Sequence, residues 1–168
     1  STELSVYWTN TSKWILRRKK EERSYSGITD FAGNAFPIGN GWMARTQLAY
    51  DCAMSTAIGS CAWPTRGQLT HEASWYTATS SVLARRRYDS VNGNLLETRD
   101  ARGNSTFYDY DTLTASRVAV IRLTAGSIEQ RWSTTYNYAL GKEATTTNPD
   151  GATTSYEYDA LGRLSKSW

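Results

Sequence analysis

The chain has 168 residues, of which 39% are hydrophobic, 12% aromatic and 21% charged, and its formal net charge is +3. This length and composition are typical of a folded domain with a sizeable core, and they exclude a disordered chain. Nucleic acid is not an expected partner, because a charge run such as Arg17–Lys20 is usually a solvated face. The sequence contains no apolar run of the ~18 residues that a membrane span needs, and it opens without the features of a signal peptide.

Residues 1–45 form an N-terminal segment whose fold the sequence leaves open. The stretch SKWILRRKKEER fits either a short helix capped by Ser12 or a strand, and the β-prone Trp14 and Ile15 favour the strand. Residues 27–45 are rich in glycine and predict a loop. The G-N-G of residues 39–41 indicates a turn rather than a phosphate-binding loop, since no strand-to-helix context surrounds it.

From about residue 43 the chain reads as a series of short strands. Segments rich in Thr, Tyr, Val and Trp alternate between apolar and polar residues, and Gly, Asn, Asp or Ser separate them. This pattern predicts an all-β fold, a repetitive antiparallel meander of β-hairpins that forms a curved ribbon. Residues 46–82 are β-rich and are either a lead-in segment or divergent repeats. Within them, Cys52 and Cys61 either form a disulfide or remain free thiols.

Residues 83–168 contain an internal repeat with an offset of 48 residues. The stretch DARGNSTFYDYDTL from Asp100 aligns without gaps with NPDGATTSYEYDAL from Asn148. The elementary unit is about twenty residues long and consists of a strand, a turn, a strand and a turn. Tyr-Asp pairs at 50–51, 88–89, 110–111 and 158–159 mark the units, and Tyr138-Ala139 is a degenerate copy. The widest step predicts an insertion around residues 115–126.

Each residue type in this unit has a structural role. Tyrosines at positions i and i+2 lie on one face of a strand, and aligned copies would stack their rings as a ladder. The aspartate at the strand end can accept backbone N–H groups of the next turn, where glycine supplies a positive φ. The predicted repeat-motif residues are Tyr88, Asp89, Gly93, Gly103, Tyr108, Tyr110, Asp111, Gly141, Gly151, Tyr156, Tyr158, Asp159, Gly162 and Arg163.

The stretches YEYDALGRL and RRRYDSVNGNLLETRDARGNSTFYDYD resemble the YD repeat of the RHS proteins, of B- and C-type Tc toxin subunits and of teneurins, over about residues 83–168. The resemblance implies a β-ribbon that spirals into a hollow shell, which in secreted bacterial toxins encloses a toxic domain. We therefore expect a non-enzymatic structural segment of a secreted or cell-surface bacterial protein. Its expected partners are other YD repeats of the same larger protein, further copies of itself, or an enclosed toxin domain.

The sequence predicts no catalytic, cofactor or metal site. His71 opens the sequence HEASW, but Trp75 stands where the zinc motif H-E-x-x-H needs its second histidine. A nucleophilic pair of His71 with Cys52 or Cys61 has no local support.

The alternative function is a carbohydrate-binding β module, because exposed Trp and Tyr rings stack on sugars and basic residues attract acidic glycans. The structural interpretation is that the Trp residues fill the core in place of scarce Leu and Phe. The candidate ligand-binding residues are Trp63, Trp75, Trp132, Arg85, Arg86 and Arg87.

Overall fold

The structure, a computed structural model, describes residues 2–25, 42–77 and 79–168. These residues form twelve β-strands and two short 3₁₀ helices. The chain divides into two compact units, the first comprising Ser1–Tyr88 with Arg99–Ala101 and the second comprising Asp89–Thr98 with Arg102–Trp168. None of the helices in the described ranges is long and apolar enough to cross a membrane.

The first unit is an antiparallel meander in which each strand pairs with the one before it in the chain. Its strands are β1 (Thr2–Asn10), β2 (Ile15–Tyr25), β3 (Trp42–Tyr50), β4 (Leu69–Trp75) and β5 (Ser81–Tyr88). Strand β2 confirms the strand interpretation of SKWILRRKKEER. The predicted loop of residues 27–45 is wrong at its end, where the pairing with β2 draws Trp42 and the following residues into β3. Residues 26–41, with the predicted turn at 39–41, lie outside the described residues.

Polar side chains occupy much of the interior of the first unit. Its buried hydrophobic residues in the described ranges are few, and two of them are alanines: Ile15, Ala49, Tyr50 and Ala73. Glu21 is also buried, and its carboxylate accepts hydrogen bonds from the side chains of Arg23, Arg45 and Gln47. Because a buried charge is tolerated only when it is paired and hydrogen-bonded, this cluster fixes β2 against β3.

The second unit repeats the same meander. Its strands are β6 (Leu95–Arg99), β7 (Ser105–Tyr110), β8 (Val118–Ala125), β9 (Ile128–Asn137), β10 (Lys142–Thr147), β11 (Thr153–Tyr158) and β12 (Leu164–Ser167). The residues of the predicted insertion, 115–126, do not form a separate loop, because most of them belong to β8, a strand paired with both β7 and β9. The prediction of an all-β antiparallel hairpin meander is confirmed in each unit.

Candidate functional site

The aspartate that follows a strand closes the next turn with its carboxylate. Asp111 follows β7, and its Oδ1 accepts hydrogen bonds from the backbone N–H groups of Leu113 and Thr114 at 3.2 and 2.6 Å. Its Oδ2 accepts from the N–H groups of Ser116 and Arg117 at 3.2 and 3.0 Å. One side chain therefore satisfies four backbone donors of a turn that has no ladder partners for them.

Asp51 performs the same task for a much longer connection, the one between β3 and β4. Its Oδ2 accepts from the N–H groups of Thr65, Arg66 and Gly67 at 2.7, 2.6 and 2.8 Å. Its Oδ1 accepts from the N–H group of Gln68 at 3.0 Å. Asp51, at the start of the connection, thus binds Thr65–Gln68 at its end, and this contact does not involve the residues between them.

Shorter turns follow β5 and β11. Asp89 Oδ1 accepts from the N–H groups of the residues two and three positions further on, at 2.8 and 2.9 Å. Asp159 Oδ1 accepts from the N–H groups of Leu161 and Arg163, each at 2.9 Å, and Arg163 also donates its Nε to Oδ2 at 2.7 Å. Gly93 and Gly162 complete these two turns with φ angles of 80° and 74°, in the left-handed region that disfavours side chains.

The hydrogen bonds of the turns lower the pKa values of the aspartates. Burial raises the pKa of the Asp111 carboxyl, but the backbone N–H groups of Thr114 and Arg117 and the hydroxyls of Thr114 and Tyr138 outweigh it, so that the pKa lies far below its ordinary value. The pKa of Asp51 is lowered in the same way, because four backbone donors outweigh its burial. Both groups are therefore anionic acceptors in the folded protein at neutral pH.

Four tyrosines that stand directly before a turn donate their hydroxyls to a backbone carbonyl of the preceding strand. Such a bond satisfies the polar end of a ring that is otherwise packed on the sheet. The four bonds run from Tyr50 to Lys19 (2.9 Å), from Tyr88 to Leu69 (3.2 Å), from Tyr136 to Val118 (2.7 Å) and from Tyr158 to Glu143 (2.9 Å).

Each accepting carbonyl lies beside a β-bulge. Leu69 pairs with Tyr50 and His71 pairs with Ala49, so that Thr70 is an extra residue between them. A bulge interrupts the ladder of hydrogen bonds, and the tyrosine hydroxyl offers the carbonyl beside it a donor. The register shows an equivalent extra residue on β2, β8, β10 and β12, namely Lys20, Ala119, Ala144 and Ser165.

These contacts connect successive hairpins through alternating tyrosines and carbonyls, rather than through the ring stacking that we predicted. A tyrosine pairs with the residue before a bulge, and the carbonyl of that residue accepts the hydroxyl of the next tyrosine. The series is Tyr7, Lys19, Tyr50, Leu69 and Tyr88 in the first unit, and Tyr110, Val118, Tyr136, Glu143, Tyr158 and Leu164 in the second.

The structure corrects the position of the degenerate copy. The residue opposite the bulge is Tyr136, which pairs with Glu143, and not Tyr138. Asn137 follows in the place of the aspartate, and its Oδ1 accepts the N–H group of Leu140 at 3.3 Å. The steps from Tyr88 through Tyr110 and Tyr136 to Tyr158 are therefore 22, 26 and 22 residues.

Sequence reasoning also missed Tyr7, which opens the series in the first unit. Trp8 follows Tyr7, so the Tyr-Asp signal is absent. The spacing of Tyr7 from Tyr50 does not match the repeat either, so that only the bulge opposite Tyr7 on β2 identifies it.

The other predicted motif residues lie in or beside the turns and strands of the second unit. Gly103 and Gly151 have φ angles of 90° and 86° in the turns that precede β7 and β11, and Gly141 has a φ of 66° in the turn before β10. Tyr156 forms a hydrogen bond with the hydroxyl of Thr146 at 3.1 Å. Tyr108 is half-buried on β7, opposite a residue of β8.

Structural contacts account for most of the candidate glycan-binding residues. Trp75 donates its Nε1 to Gln47 Oε1 at 2.9 Å, and the Arg45 guanidinium lies 5.2 Å from its ring centroid. Trp63 is 59% exposed and meets Trp8 edge-on, with 4.6 Å between ring centroids. Trp132 is half-buried on β9.

The three candidate arginines follow one another along β5, so that their side chains alternate between the two faces of the sheet. Arg86 donates to Glu72 at 3.1 Å, Arg85 pairs with His71 across the strands, and Arg87 is exposed. The arrangement therefore does not form one basic patch.

An open hollow of about 390 Å³ lies in the second unit beside the turn of Asp111. Its lining includes Asp109, Tyr110, Asp111, Tyr136 and Tyr138. Aromatic rings and carboxylates are the groups that contact sugars, so this hollow is the place in the second unit with the right chemistry for a small polar ligand.

The cysteines form a disulfide, with 5.6 Å between their Cα atoms, which settles the alternative left open by the sequence. The disulfide lies beside His71, whose side chain is fully buried. Burial, followed by the nearby Arg85 guanidinium, lowers the pKa of His71, although backbone groups of Thr56 and Met54 act in the opposite direction. The imidazole is therefore neutral at pH 7.

The fold and its turns define the class: an all-β repeat protein whose hairpins share one turn, closed by an aspartate or asparagine and preceded by a tyrosine. Residues 136–167 match the family model of the RHS repeat. The chain therefore carries an RHS repeat, and the resemblance to the RHS and YD-repeat family is confirmed. No curated protein matches the chain in a sequence comparison.

Two solved structures show the same fold over 96% of this chain, each with a TM-score of 0.51 and 17% sequence identity. They are the complex TcdB2-TccC3-Cdc42 and TcdB2-TccC3 without its hypervariable C-terminal region. The present chain spans 9% of the length of each matched chain.

We predict that Tyr88→Phe destabilises the protein through the Leu69 carbonyl, which loses its donor at 3.2 Å. The expected loss is about 1 kcal/mol, the net value of one hydrogen bond. Tyr76→Phe is the matched control, because Tyr76 lies in the same unit and is 67% exposed. Urea denaturation followed by circular dichroism measures both, and equal stabilities of the two variants would contradict the role given to the Tyr88 hydroxyl.

We predict that Asp111→Asn weakens the acid dependence of stability. The folded-state pKa of Asp111 lies below its unfolded value of ~3.9, so its contribution is complete above about pH 4 and is lost as the pH falls through the folded pKa. The variant should be less stable than the wild type at pH 7, and the difference should shrink as the pH falls below ~4. Thermal melts between neutral and acid pH test this, with the exposed Asp150→Asn as control. A difference that is independent of pH would refute it.

Proposed function

We propose that this chain is a non-enzymatic structural segment of an RHS-type protein, whose hairpins form part of a shell that encloses or presents a toxin or another domain. The observation that carries this proposal is the series of tyrosines and bulge carbonyls, because within each unit the same contact attaches successive hairpins. Such a contact adds hairpins one at a time, as in a repeat protein whose units interact only with their neighbours.

The last bulge supports further repeats as the partners of this chain. Leu164 pairs with Tyr158, and Ser165 is the extra residue that follows it on β12. The equivalent carbonyls of Val118 and Glu143 accept the hydroxyl of the next tyrosine. In the larger protein, the following hairpin would place a tyrosine on the carbonyl of Leu164.

The use of the titratable groups supports a structural role without catalysis. The carboxylates of Asp51, Asp89, Asp111 and Asp159 accept backbone N–H groups of their own turns. All four carboxylates are already hydrogen-bonded, and the pKa values of Asp51, Asp111 and Asp159 are lowered, whereas a general acid or base needs a pKa near the working pH and access to a substrate. The motif therefore serves the backbone of the repeat.

The disulfide supports a secreted or cell-surface location. Disulfides persist in oxidising environments and are rare in the cytosol of most organisms. The Cys52–Cys61 bridge fits a protein that leaves the cytoplasm, as the resemblance to bacterial RHS proteins implies.

We propose carbohydrate binding as a second candidate function. The hollow of about 390 Å³ beside Asp111 favours it, since Tyr110, Tyr136 and Tyr138 line the hollow together with Asp109 and Asp111. The exposed ring of Trp63 in the first unit is a further surface on which a sugar could stack.

The edge of β12 distinguishes the two functions. Trp168 and Ser155 exchange backbone hydrogen bonds, so Trp168 faces β11 and the N–H group of Ser167 points to the open edge by alternation. A shell segment should self-associate through such an edge. We therefore expect a concentration-dependent increase in sedimentation coefficient for the wild-type chain, which Ser167→Pro suppresses and Ser167→Ala does not.

Two results would contradict the shell proposal. One is a wild-type chain that stays monomeric at all concentrations. The other is a chain that binds a sugar on a glycan array and whose tryptophan or tyrosine fluorescence responds to the same sugar in solution. Tyr138→Ala or Trp63→Ala should then remove both responses. The second result would establish the carbohydrate-binding alternative.

A further inference from the structure

The disulfide and the buried histidine bring three metal-binding side chains together. The Sγ atoms of Cys52 and Cys61 and a ring nitrogen of His71 all lie within 4.8 Å of one another. They come from different parts of the first unit, because the cysteines belong to the connection after β3 and His71 lies in the middle of β4. Sequence spacing alone therefore gives no metal motif, and the cluster exists only in the fold.

One ring nitrogen of His71 makes no hydrogen bond of normal geometry in the described residues, although backbone groups of Thr56 and Met54 lie near the ring. The Nδ1 of His71 lies 3.2 Å from Thr70 Oγ1, whereas Nε2 has no hydrogen-bond partner of normal geometry in the described part of the chain. The side chain is 0% exposed, so bulk solvent does not contact the ring in this structure. Because buried polar atoms are nearly always hydrogen-bonded, an unpaired nitrogen on an imidazole ring that lies beside two sulfur atoms needs an explanation.

We propose that reduction of the Cys52–Cys61 disulfide converts this cluster into a Zn²⁺ site, with the two cysteine thiolates and the His71 imidazole as ligands. A dithiol or phosphine reductant supplies the two electrons, and two protons from solvent complete the two thiols. The dithiol becomes a disulfide, or the phosphine becomes its oxide with oxygen from water. Binding of Zn²⁺ then forms two Zn–S bonds and releases the two thiol protons to solvent.

The present positions are close to those that zinc requires. With Zn–S bonds of about 2.3 Å and Zn–N bonds of about 2.0–2.1 Å at tetrahedral angles, the ligand atoms lie roughly 3.6–3.8 Å apart. The sulfur atoms therefore have to separate once their bond is broken, and the histidine nitrogen has to approach them by about 1 Å at most from the 4.8 Å limit. The short connection between the cysteines is a surface loop and can make this adjustment.

The surrounding charges are compatible with a bound zinc ion. Arg85 lies across from His71, and its positive charge alone would repel a divalent cation. Two thiolates neutralise the charge of Zn²⁺, so the complete site carries no net charge from the metal and its sulfur ligands. Three protein ligands leave one position of the tetrahedron for water.

The consequence is that the connection between β3 and β4 is cross-linked under both oxidising and reducing conditions. Asp51 holds the end of this connection through Thr65–Gln68, and the disulfide closes its first part under oxidising conditions. Zinc would close the same part under reducing conditions, so that the corner of the first unit stays folded before and after export from a reducing compartment.

The test uses cobalt as a spectroscopic substitute for zinc. The whole chain is reduced with a phosphine under inert gas, freed of metal and titrated with Co²⁺ and then Zn²⁺. We expect thiolate-to-cobalt absorption in the near ultraviolet at one equivalent, its loss on addition of Zn²⁺, and a higher melting temperature with Zn²⁺ for the reduced chain only. His71→Gln should bind about 100-fold more weakly or worse, since even residues behind the ligands cost 10–100-fold.

The matched controls are the oxidised wild-type chain and Cys52→Ala with Cys61→Ala, which retains His71 but has no sulfur ligands. Near-ultraviolet circular dichroism checks the fold of every sample. If the reduced chain unfolds without metal, Zn²⁺ should restore the signal of the wild type and not that of His71→Gln. Absence of cobalt absorption in the reduced wild type, or equal affinity of His71→Gln, would overturn the proposal.

Discussion

The turns of this protein leave several backbone N–H groups without partners in the sheet, and one side-chain carboxylate accepts them. At Asp111 and at Asp51 four donors converge on the two oxygens of a single residue. Because unpaired buried donors are costly, the place of the aspartate determines where the chain turns and where the next strand starts. The same interaction closes connections of very different lengths, so the length of the connection is free to vary.

The entry into the next strand carries the second regular feature, a bulge opposite the tyrosine. The bulge leaves a carbonyl beside a gap in the ladder, and the tyrosine of the next strand donates to it, as Tyr158 does to Glu143. The aspartate and the tyrosine thus have different ranges, since the first acts within its own turn and the second reaches the preceding hairpin. The apolar core of the described residues is small. Contacts between neighbouring hairpins therefore supply stability that a larger core would otherwise provide.

The sequence was sufficient for the fold class, because alternation and turn residues report directly on strands and hairpins. It was not sufficient for the contacts between hairpins. A period of two assigns a ring such as that of Tyr88 to a face, but it does not say which carbonyl its hydroxyl meets. The degenerate copy was misplaced because Asn137 replaces the aspartate and Tyr138 imitates the motif. Two cysteines are compatible with either redox state, and only their distance in the fold decides between them.

The longest of the connections closed by an aspartate also holds the chemistry that the repeat does not require. Cys52 and Cys61 lie between Asp51 and the residues that its carboxylate holds, and they meet the strand at His71. Since Asp51 fixes both ends of this connection, residues inserted between them do not disturb the register of β3 and β4. A repeat built in this way separates the part that must stay constant, the turn and its tyrosine, from the part that can acquire a new function. In the first unit, the connection that contains the Cys52–Cys61 disulfide is the variable part, and Asp51 with Tyr50 is the constant part.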